Sequence, residues 1–349
     1  MIKVAVDCYG GDHSPEANTD GALLALKSHD DLHVILTGDE EGIKKALEGK
    51  SYDKSRLEIV HAPLVITGED KPTDAIRLKR ESSMMKAVKI LREDDSVSGM
   101  VSTGATGALV AAAVLRIGRL RNVIRPAFCP ILPTMDGGIV GVCDSGANVD
   151  INADFLQQYA VMGSTFLENV YNVKNPRVAL LNVGTETEKG DALRKEAFKL
   201  LSETEGINFV GNMESRDLLS GKYDLVVCDG FAGNVLLKAT EGTAAELLTK
   251  LKKGIYSKAI YKLGGLLLKG MFRDMKNLLD YQNYGGSVLL GTSKTVVKGH
   301  GSSKAKAVSK CIEQVYLMQK NSFNDKVEEK LEIIESKRNT ELVRITNNV

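Results

Sequence analysis

The chain has 349 residues, of which 43% are hydrophobic and 26% are charged, so it is long enough to bury a large core. Its 46 Lys and Arg residues nearly balance its 45 Asp and Glu residues, which leaves a formal net charge of +1. This balance excludes a global attraction to nucleic acid or to a membrane, so any such attraction has to be local.

The five cysteines are widely spaced and mostly lie inside apolar runs, which argues against a disulfide framework and against a zinc site. The chain opens on the strand-like run 2–6 without the basic and apolar segments of a signal peptide. The most apolar early run, 108–115, is too short to span a bilayer. These features predict a cytoplasmic protein with reduced cysteines.

Strand and helix patterns alternate along most of the chain. The predicted strands are 4–6, 34–37, 57–60, 99–101, 178–181, 209–210 and 225–227, and the main predicted helices are 15–28, 74–91, 106–117, 153–170, 192–204 and 233–252. This order predicts an α/β fold, with a Rossmann-like, doubly wound, mostly parallel sheet and helices on both faces. The Asp136-Gly137 turn predicts an antiparallel excursion between 127–132 and 138–142.

No internal repeat or linker marks a domain boundary. We therefore expect a single α/β domain over 1–320, followed by a peripheral C-terminal helix and tail over 321–349. Val327, Leu331 and Ile334 have helical spacing in this last segment.

Two polar loops stand where strands are predicted to lead into helices. Residues 182–190 read NVGTETEKG and residues 228–234 read CDGFAGN. In open α/β sheets this edge is where ligands bind. The loops offer a lysine, carboxylates, an amide and glycines that let backbone N–H groups approach an anion, which suits chemistry on a phosphate.

Lys189 and Asn234 are the candidate catalytic residues. A fixed ammonium at Lys189 reduces the repulsion when a phosphate dianion approaches an electron-rich carbonyl, and the Asn234 amide is able to donate to an oxyanion. Their alternative interpretations are a solvated first-turn lysine and a helix cap. Glu186 and Asp229 in the same loops also have structural interpretations. Glu186 fits the acidic first turn of a helix, and Asp229 fits a residue that forms a turn.

Three further strand-to-helix loops and one late motif are candidate binding elements. They are 7–15 (DCYGGDHSP), 102–109 (STGATGAL), 144–150 (DSGANVD) and 298–303 (KGHGSS). Each has a structural alternative in a glycine turn or a helix cap. His300 either caps the last strong helix or contacts ligand.

The segment 251–277 holds seven basic residues against the single acid Asp274, with apolar residues at near-helical spacing. It predicts a basic amphipathic helical hairpin, broken at Gly264-Gly265, with leucines 266, 267 and 268 at its tip. Peripheral contact with an anionic membrane, a dimer interface and a docking face for an acidic partner protein are the three interpretations of this hairpin.

Taken together, the motifs resemble the phosphate acyltransferase family of bacterial phospholipid synthesis, usually called PlsX. The matching blocks run in order through 4–7 (VAVD), 10–12 (GGD), 106–108 (TGA), 146–148 (GAN), 182–186 (NVGTE), 188–190 (EKG), 211–212 (GN), 229–234 (DGFAGN), 284–286 (YGG), 289–291 (LLG) and 300–303 (HGSS). Many relatives have Ala-Met where this chain has Cys8-Tyr9, and Asn where it has Ala105, so an amide contact from position 105 is absent here.

The resemblance implies transfer of a long-chain acyl group from acyl carrier protein to inorganic phosphate, giving acyl phosphate for phospholipid synthesis. It also implies a homodimer, a fold related to phosphotransacetylases and isocitrate dehydrogenase-like proteins, and no metal or nucleotide cofactor. Carried onto this chain, the site comprises Lys189 and Asn234 as catalytic residues. The substrate-binding candidates are Asp7, Gly10, Gly11, Asp12, Thr103, Gly104, Thr106, Asp144, Asn148, Asn182, Thr185, Glu186, Asp229 and His300.

We expect phosphate to attack the thioester directly, because it is already a nucleophile at neutral pH. Cys228 beside Asp229 suggests a covalent alternative, although its position after a Val-Val run predicts burial. An isocitrate-type dehydrogenase and a non-catalytic membrane scaffold for lipid enzymes are the two other functional classes. Membrane contact, if present, is expected on the inner face of the cell membrane.

Overall fold

In the computed structural model, which describes residues 1–278 and 281–347, the strands are divided between two sheets. The strands are β1 (Ile2–Asp7), β2 (Leu32–Gly38), β3 (Leu57–His61), β4 (Val97–Ser102), β5 (Ala127–Cys129), β6 (Ile131–Pro133), β7 (Ile139–Cys143), β8 (Arg177–Asn182), β9 (Asn208–Glu214), β10 (Leu225–Val227), β11 (Ser287–Leu290) and β12 (Thr295–Lys298). Asn348 and Val349, the end of the expected tail, lie outside the described residues.

The first sheet has seven strands in the order β3-β2-β1-β4-β12-β11-β5. The first five are parallel to one another, and β11 runs antiparallel to both of its neighbours. The second sheet has five strands in the order β6-β7-β10-β8-β9, with only β6 antiparallel. The predicted excursion at Asp136-Gly137 is confirmed as the β6–β7 pair.

Pro130 is the point at which the chain passes between the sheets, because it separates β5 of the first sheet from β6 of the second. The predicted fold class is confirmed, since both sheets are mostly parallel and lie among helices. The strand pattern did not reveal the division into two sheets, because one short apolar run supplies a strand to each of them.

The helices connect the strands in the expected alternation. They are α1 (Glu16–Ser28), α2 (Glu40–Leu47), α3 (Pro72–Leu78), α4 (Ser83–Glu93), α5 (Thr106–Ala112), α6 (Ala153–Tyr171), α7 (Ala192–Ser202), α8 (Gly230–Tyr256), α9 (Ala259–Leu267), α10 (Lys269–Leu278), α11 (Ala305–Lys320) and α12 (Phe323–Asn347). A π turn over Ala113–Ile117 extends α5.

The single helix predicted over 74–91 is wrong, because the structure has two helices there. The chain breaks between α3 and α4, where Ser82 makes a parallel bridge to Leu64. The Ser82 hydroxyl then accepts a hydrogen bond from the Met85 N–H and caps α4. The side-chain periodicity continues across this break, which is why the sequence pattern did not show it.

Helix α6 is the centre of the main hydrophobic core. Most of its residues are buried, including Tyr159 and Phe166. A helix that is apolar on nearly every face has to be covered from all sides. It contacts α7, α11, α12 and strands of the second sheet.

The C-terminal helix α12 begins inside this core. Phe323, Val327 and Leu331 are fully or almost fully buried, and the Phe323 ring meets Phe166 edge-on at a centroid distance of 6.4 Å. The residues expected to form a peripheral helix therefore pack against α6 in their first turns.

The basic segment folds as helices, but its break differs from the expected one. Helix α9 continues through Gly264-Gly265, and the chain bends at Leu268. Gly265 stays helical because its missing side chain leaves room for Ile255 of α8. No helix among the described residues has an apolar stretch long enough to cross a membrane.

Candidate active site

The carboxyl edge of the first sheet places Asp7, Ser102 and Lys298 side by side. Asp7 and Lys298 each pair in register with Ser102 from the neighbouring parallel strands. The Ser102 hydroxyl donates to Asp7 Oδ2 at 2.7 Å. Burial raises the pKa of Asp7, while hydrogen bonds from Ser83 and Ser102 act in the opposite direction. The predicted residue Asp7 is therefore enclosed beneath the loops at this edge.

Gly10 and Gly11 allow these loops to approach one another closely. A Cβ at Gly10 would lie 2.4 Å from the Gly104 backbone nitrogen. Gly11 has a φ of +86°, and a Cβ there would lie 2.8 Å from the Gly301 carbonyl oxygen. The Thr103 hydroxyl also donates to the Gly10 carbonyl. These predicted glycines build the edge by bringing backbone against backbone.

Asp12 joins the same assembly through its backbone, because its N–H donates to the Gly301 carbonyl at 2.8 Å. The loop that carries His300 is thus tied to the loop after β1. Two stretches that are distant in sequence, 10–12 and 299–301, form one surface.

At the edge of the second sheet, Asp144 organises the loop after β7. Its carboxylate is fully buried and accepts from the backbone N–H groups of Phe128 at 3.0 Å and Asn148 at 2.7 Å. It also accepts from the N–H groups of Gly146 and Ala147, and from the Asn148 side-chain amide. Burial raises the pKa of Asp144, and the backbone hydrogen bonds oppose this shift.

Asn148 connects this loop to the start of α8. Its backbone carbonyl accepts from the Gly230 N–H at 2.7 Å, and its amide donates to the Pro126 carbonyl at 2.7 Å. Gly233 lies so close to the Asp144 carbonyl that a Cβ there would be 1.9 Å from the oxygen. Asp144 and Asn148 therefore hold α8, and with it Asn234, in place.

The loop after β8 carries the candidate Lys189. The Asn182 amide donates to the Lys189 carbonyl at 3.1 Å, and the Asn212 amide donates to the Glu186 carbonyl at 2.8 Å. The side chains of Thr185, Glu186 and Lys189 are exposed. The backbone of the loop is held while its charged side chains face solvent.

Asp229 links this loop region to α8. Its Oδ1 accepts from the Ala232 N–H at 2.8 Å and caps the helix, while its Oδ2 forms an ion pair with Arg194 of α7. Arg194 also pairs with Asp191 at 2.9 Å. Because β8 and β10 are adjacent parallel strands, Lys189 and Asn234 belong to neighbouring βα units.

A cavity of about 270 Å³ lies between the two sheet edges. It brings together three of the predicted residues, Thr106, Asn234 and His300. Lys189 is not among its lining residues. The other residues that line it are Phe128, Pro130, Ile131, Leu132, Ser145, Leu237, Lys238, Glu241, Gly285, Gly286, Ser287, Lys298, Gly299 and Gly301.

Lys298 is the main candidate residue that the sequence reasoning missed. Its ammonium lines the cavity and donates to the Thr103 carbonyl at 3.3 Å and to the Gly299 carbonyl. Burial lowers the pKa of Lys298 to about 8, although Cys311, Asp7 and Asp12 act against the shift. A lysine at the end of the buried Val296-Val297 run was the available signal.

His300 is held by its own loop. The Ser302 N–H donates to His300 Nδ1 at 3.2 Å, which leaves the proton of the neutral ring on Nε2. Burial lowers the pKa of His300, so the ring is neutral at physiological pH.

Cys228 has the environment of a core residue. It is 1% exposed, and its Sγ lies 3.3 Å from the Asp144 carbonyl. Burial and the nearby carboxylates of Asp144 and Asp229 raise its pKa well above the usual value. The thiol is therefore neutral, which disfavours an acyl-cysteine.

The other cysteines are also buried and free. Across residues 1–278 and 281–347, no group of three His, Cys, Asp or Glu side chains is arranged to hold a metal ion. The polar groups that face the cavity are instead cations, amides and hydroxyls, with Glu241 as the one carboxylate among its lining residues.

Solved structures share this fold at low sequence identity. EutD phosphotransacetylase from Staphylococcus aureus matches with a TM-score of 0.57 and 16% identity, covering 91% of this chain and 94% of that one. A phosphotransacetylase from Streptococcus pyogenes matches with a TM-score of 0.58 and 15% identity, with the same coverage of both chains. The expected relation to the phosphotransacetylase fold is confirmed.

Curated relatives are much closer in sequence. The phosphate acyltransferase of Clostridium tetani is 42% identical over 96% of this chain and 99% of its own length. That of Halalkalibacterium halodurans is 45% identical over 91% of this chain and 93% of its own length. The family model described as "Fatty acid synthesis protein" matches residues 2–326. The chain thus belongs to the fatty acid synthesis protein family of phosphate acyltransferases.

Proposed function

We propose that this acyltransferase moves a long-chain fatty acyl group from acyl carrier protein to inorganic phosphate, and that the acyl phosphate product serves phospholipid synthesis. The observation that carries the proposal is the cavity between the sheet edges, which is lined by Lys298, by Asn234 and by the Lys238–Glu241 ion pair. Cations and amide donors favour a phosphate dianion and a developing oxyanion. The names of the curated relatives support phosphate as the acceptor.

The reaction needs no acyl-enzyme. An oxygen of hydrogen phosphate attacks the thioester carbonyl carbon, and the Asn234 amide stabilises the tetrahedral oxyanion. Collapse of this intermediate breaks the C–S bond. Lys189, exposed on the adjacent loop, attracts phosphate and directs it toward the cavity.

Lys298 is suited to protonate the leaving thiolate. Its ammonium has three donors, and backbone carbonyls of Thr103 and Gly299 accept from two of them. Transfer of the third proton to sulfur gives the free thiol, and the proton of the attacking hydrogen phosphate restores the ammonium. The pKa of about 8 at Lys298 is close to that of an ordinary thiol, and such a match suits general acid catalysis.

The proposal also includes a homodimer that contacts the inner face of the cell membrane through the basic hairpin. Leu266, Leu267 and Leu268 are exposed by 65%, 81% and 48%, and lysines and Arg273 surround them. The side chain of Lys276 lies outside the described part of this hairpin. Exposed leucines beside basic residues are the combination that inserts into an anionic lipid surface.

The isocitrate-type dehydrogenase alternative is not retained, because the close relatives are phosphate acyltransferases.

The direct test of the function is an assay of the purified protein with palmitoyl-acyl carrier protein and phosphate. We expect acyl phosphate, trapped by hydroxylamine as the hydroxamate, to form only when both substrates are present. Activity should survive exhaustive chelation, because the cavity offers cations and amides rather than a metal-binding cluster. Loss of turnover in EDTA with recovery on addition of a divalent ion would contradict this mechanism.

Removal of either candidate catalytic side chain should have a large effect on turnover. We expect Asn234→Ala to fold normally and to lose at least about 10²-fold in kcat/KM, the scale for one preorganised transition-state contact. Lys189→Ala should also fold normally and should lose about tenfold or more in kcat/KM for phosphate, because it removes a charge that attracts this substrate. Lys195→Ala, an exposed lysine on α7, is the matched control and should change little. Cys228→Ser should also be mild. An inactive cysteine variant beside an active Lys189 variant would favour an acyl-cysteine instead.

Lys298→Arg separates charge from proton transfer, because arginine keeps the cation but does not release its proton. For the alkyl thioester we expect turnover to slow by about 10²-fold, which is the lower end of the effect of general acid catalysis. An aryl thiolate leaves without being protonated, so turnover of an aryl thioester should slow much less. The wild-type rate should fall as pH rises through about 8, where Lys298 loses its proton. This fall should be absent in the variant.

Lys294→Ala, just before β12 and away from the cavity, is the control for these measurements. Thermal unfolding of the Arg variant shows whether the larger side chain is accommodated. Equal losses with the alkyl and aryl thioesters would assign Lys298 to electrostatic or structural support and exclude the acid role.

Replacing leucines 266, 267 and 268 by serine should release the protein from vesicles that contain anionic lipid, while turnover in solution is kept. High salt should weaken wild-type binding only in part, because the leucine contribution does not depend on salt. Leu78→Ser, at another exposed leucine, is the control. If the serine variant still co-sediments with vesicles as the wild type does, the membrane role is excluded. If the variant is a monomer in size-exclusion chromatography, the leucines belong to the dimer interface instead.

A further inference from the structure

A second, larger groove lies next to the candidate cavity. It has a volume of about 640 Å³, and Thr106 lines both spaces. Its walls are mainly apolar and come from α5 with its π turn, from the loop after β7 and from β11. The residues that line it are Thr106, Gly107, Val110, Ala111, Val114, Leu115, Arg119, Arg125, Pro126, Gly146, Ala147, Asn148 and Leu289.

The outer end of this groove coincides with a concentration of arginines. Residues 116–125, here called the arginine segment, read RIGRLRNVIR and contain no acidic residue. Its four arginines, at positions 116, 119, 121 and 125, are all exposed. Because the whole chain has a net charge of only +1, this segment is a strong local deviation.

Two of the four arginines are already engaged within the protein. Arg121 pairs with Glu332 of α12 at 3.0 Å, and the Arg119 side chain donates to the Ile124 carbonyl. Arg116 and Arg125 have no hydrogen-bond or ion-pair partner among residues 1–278 and 281–347. Arg125 lines the groove, whereas Arg116 lines a separate cavity together with Glu81 and Glu93. The Arg125 guanidinium is therefore available to a partner at the groove.

The backbone presents this surface in a defined way. The π turn over Ala113–Ile117 ends at Gly118, whose φ of +92° lets the chain turn sharply. The turn leaves Leu115 exposed by 63% and Val114 by 41% beside the arginines. Short π stretches within helices are frequent at functional sites. The result is an apolar groove with a cationic rim that leads toward the candidate cavity.

We propose that the arginine segment is the docking face for the acidic carrier protein and that the groove receives its acyl-pantetheine arm. This inference rests on the proposed acyl transfer. Planar guanidinium groups match phosphate and carboxylate oxygens, so Arg119 and Arg125 at the rim suit the phosphate of the pantetheine arm. The apolar walls suit the arm and the start of its acyl chain, whose thioester then reaches the cavity beside Thr106.

The basic hairpin is the competing surface. It borders a separate groove of about 700 Å³, none of whose lining residues also lines the candidate cavity. A carrier bound there would lack a continuous apolar path to Asn234 and Lys298. The groove at the arginine segment meets the cavity at Thr106, which lines both spaces, and this contact favours the arginine segment.

The test is a charge reversal at the two arginines that line the groove, Arg119→Glu with Arg125→Glu. We compare palmitoyl-acyl carrier protein with a palmitoyl N-acetylcysteamine thioester, which has neither carrier nor phosphate. At low salt we expect kcat/KM for the carrier substrate to fall at least about tenfold more than kcat/KM for the small thioester. A tenfold difference is a modest effect for reversed charges at the rim of an interface. Raising the salt concentration should narrow the difference. The matched control, Lys253→Glu with Lys262→Glu in the basic hairpin, changes the net charge equally and should show no such difference.

Equal losses with both thioesters would overturn the docking proposal, as would a selective loss in the hairpin control. Binding of the acylated carrier, followed by fluorescence anisotropy, separates docking from turnover. If the wild type binds the carrier and the arginine variant binds it at least about tenfold more weakly, the docking face is supported even if no acyl phosphate is formed. Unchanged carrier binding combined with loss of binding to anionic vesicles would make the segment a lipid surface and overturn the proposal.

Discussion

The buried carboxylate of Asp144 is the interaction on which the candidate site depends most. It collects N–H groups from Phe128 of the first sheet and from the loop after β7 in the second sheet. That loop then holds the start of α8 through the Asn148 carbonyl. Since a buried carboxylate without these donors would be strongly unfavourable, the geometry is determined as a unit. The position of Asn234 follows from it.

The two sheet edges contribute different chemistry to the space between them. The first sheet supplies Lys298, whose ammonium is partly desolvated near the buried Asp7. The second supplies the amide of Asn234 and the lysine loop after β8. In the proposed mechanism the proton donor Lys298 and the oxyanion donor Asn234 thus come from different edges. A reaction that needs both groups is therefore served by a cleft between the sheets, where fixed donors from the two edges face the same space.

Two segments of this nearly neutral chain are rich in basic residues and have different apolar surroundings. The basic hairpin surrounds exposed leucines that protrude from the fold, which suits a flat lipid surface. The arginine segment borders an apolar groove, which suits a partner that inserts a flexible arm. An enzyme that takes a lipid precursor from a carrier and delivers it toward a membrane would need both kinds of surface.

Local sequence patterns predicted the alternation of strands and helices, the hairpin at Asp136-Gly137 and the loops at the carboxyl edges of the strands. These features follow from local periodicity and turn chemistry, which depend on near neighbours in the chain. Asn234, Thr106 and His300 were identified in this way, and the structure places all three at one cavity. Lys189 was identified on the same basis and lies on the adjacent loop.

The three-dimensional packing separates the polar residues that face the cavity from those that support it. Asp7 and Asp144 look like ligands in the sequence, yet their oxygens are occupied by neighbouring hydroxyl and backbone N–H groups. Lys298 resembles an ordinary strand end, yet three-dimensional packing buries its ammonium beside Thr103. Burial and hydrogen-bond partners arise from residues far apart in the chain, such as Asn148 and Gly230. Local patterns carry no record of these contacts, which is why the division of roles became visible only in the folded protein.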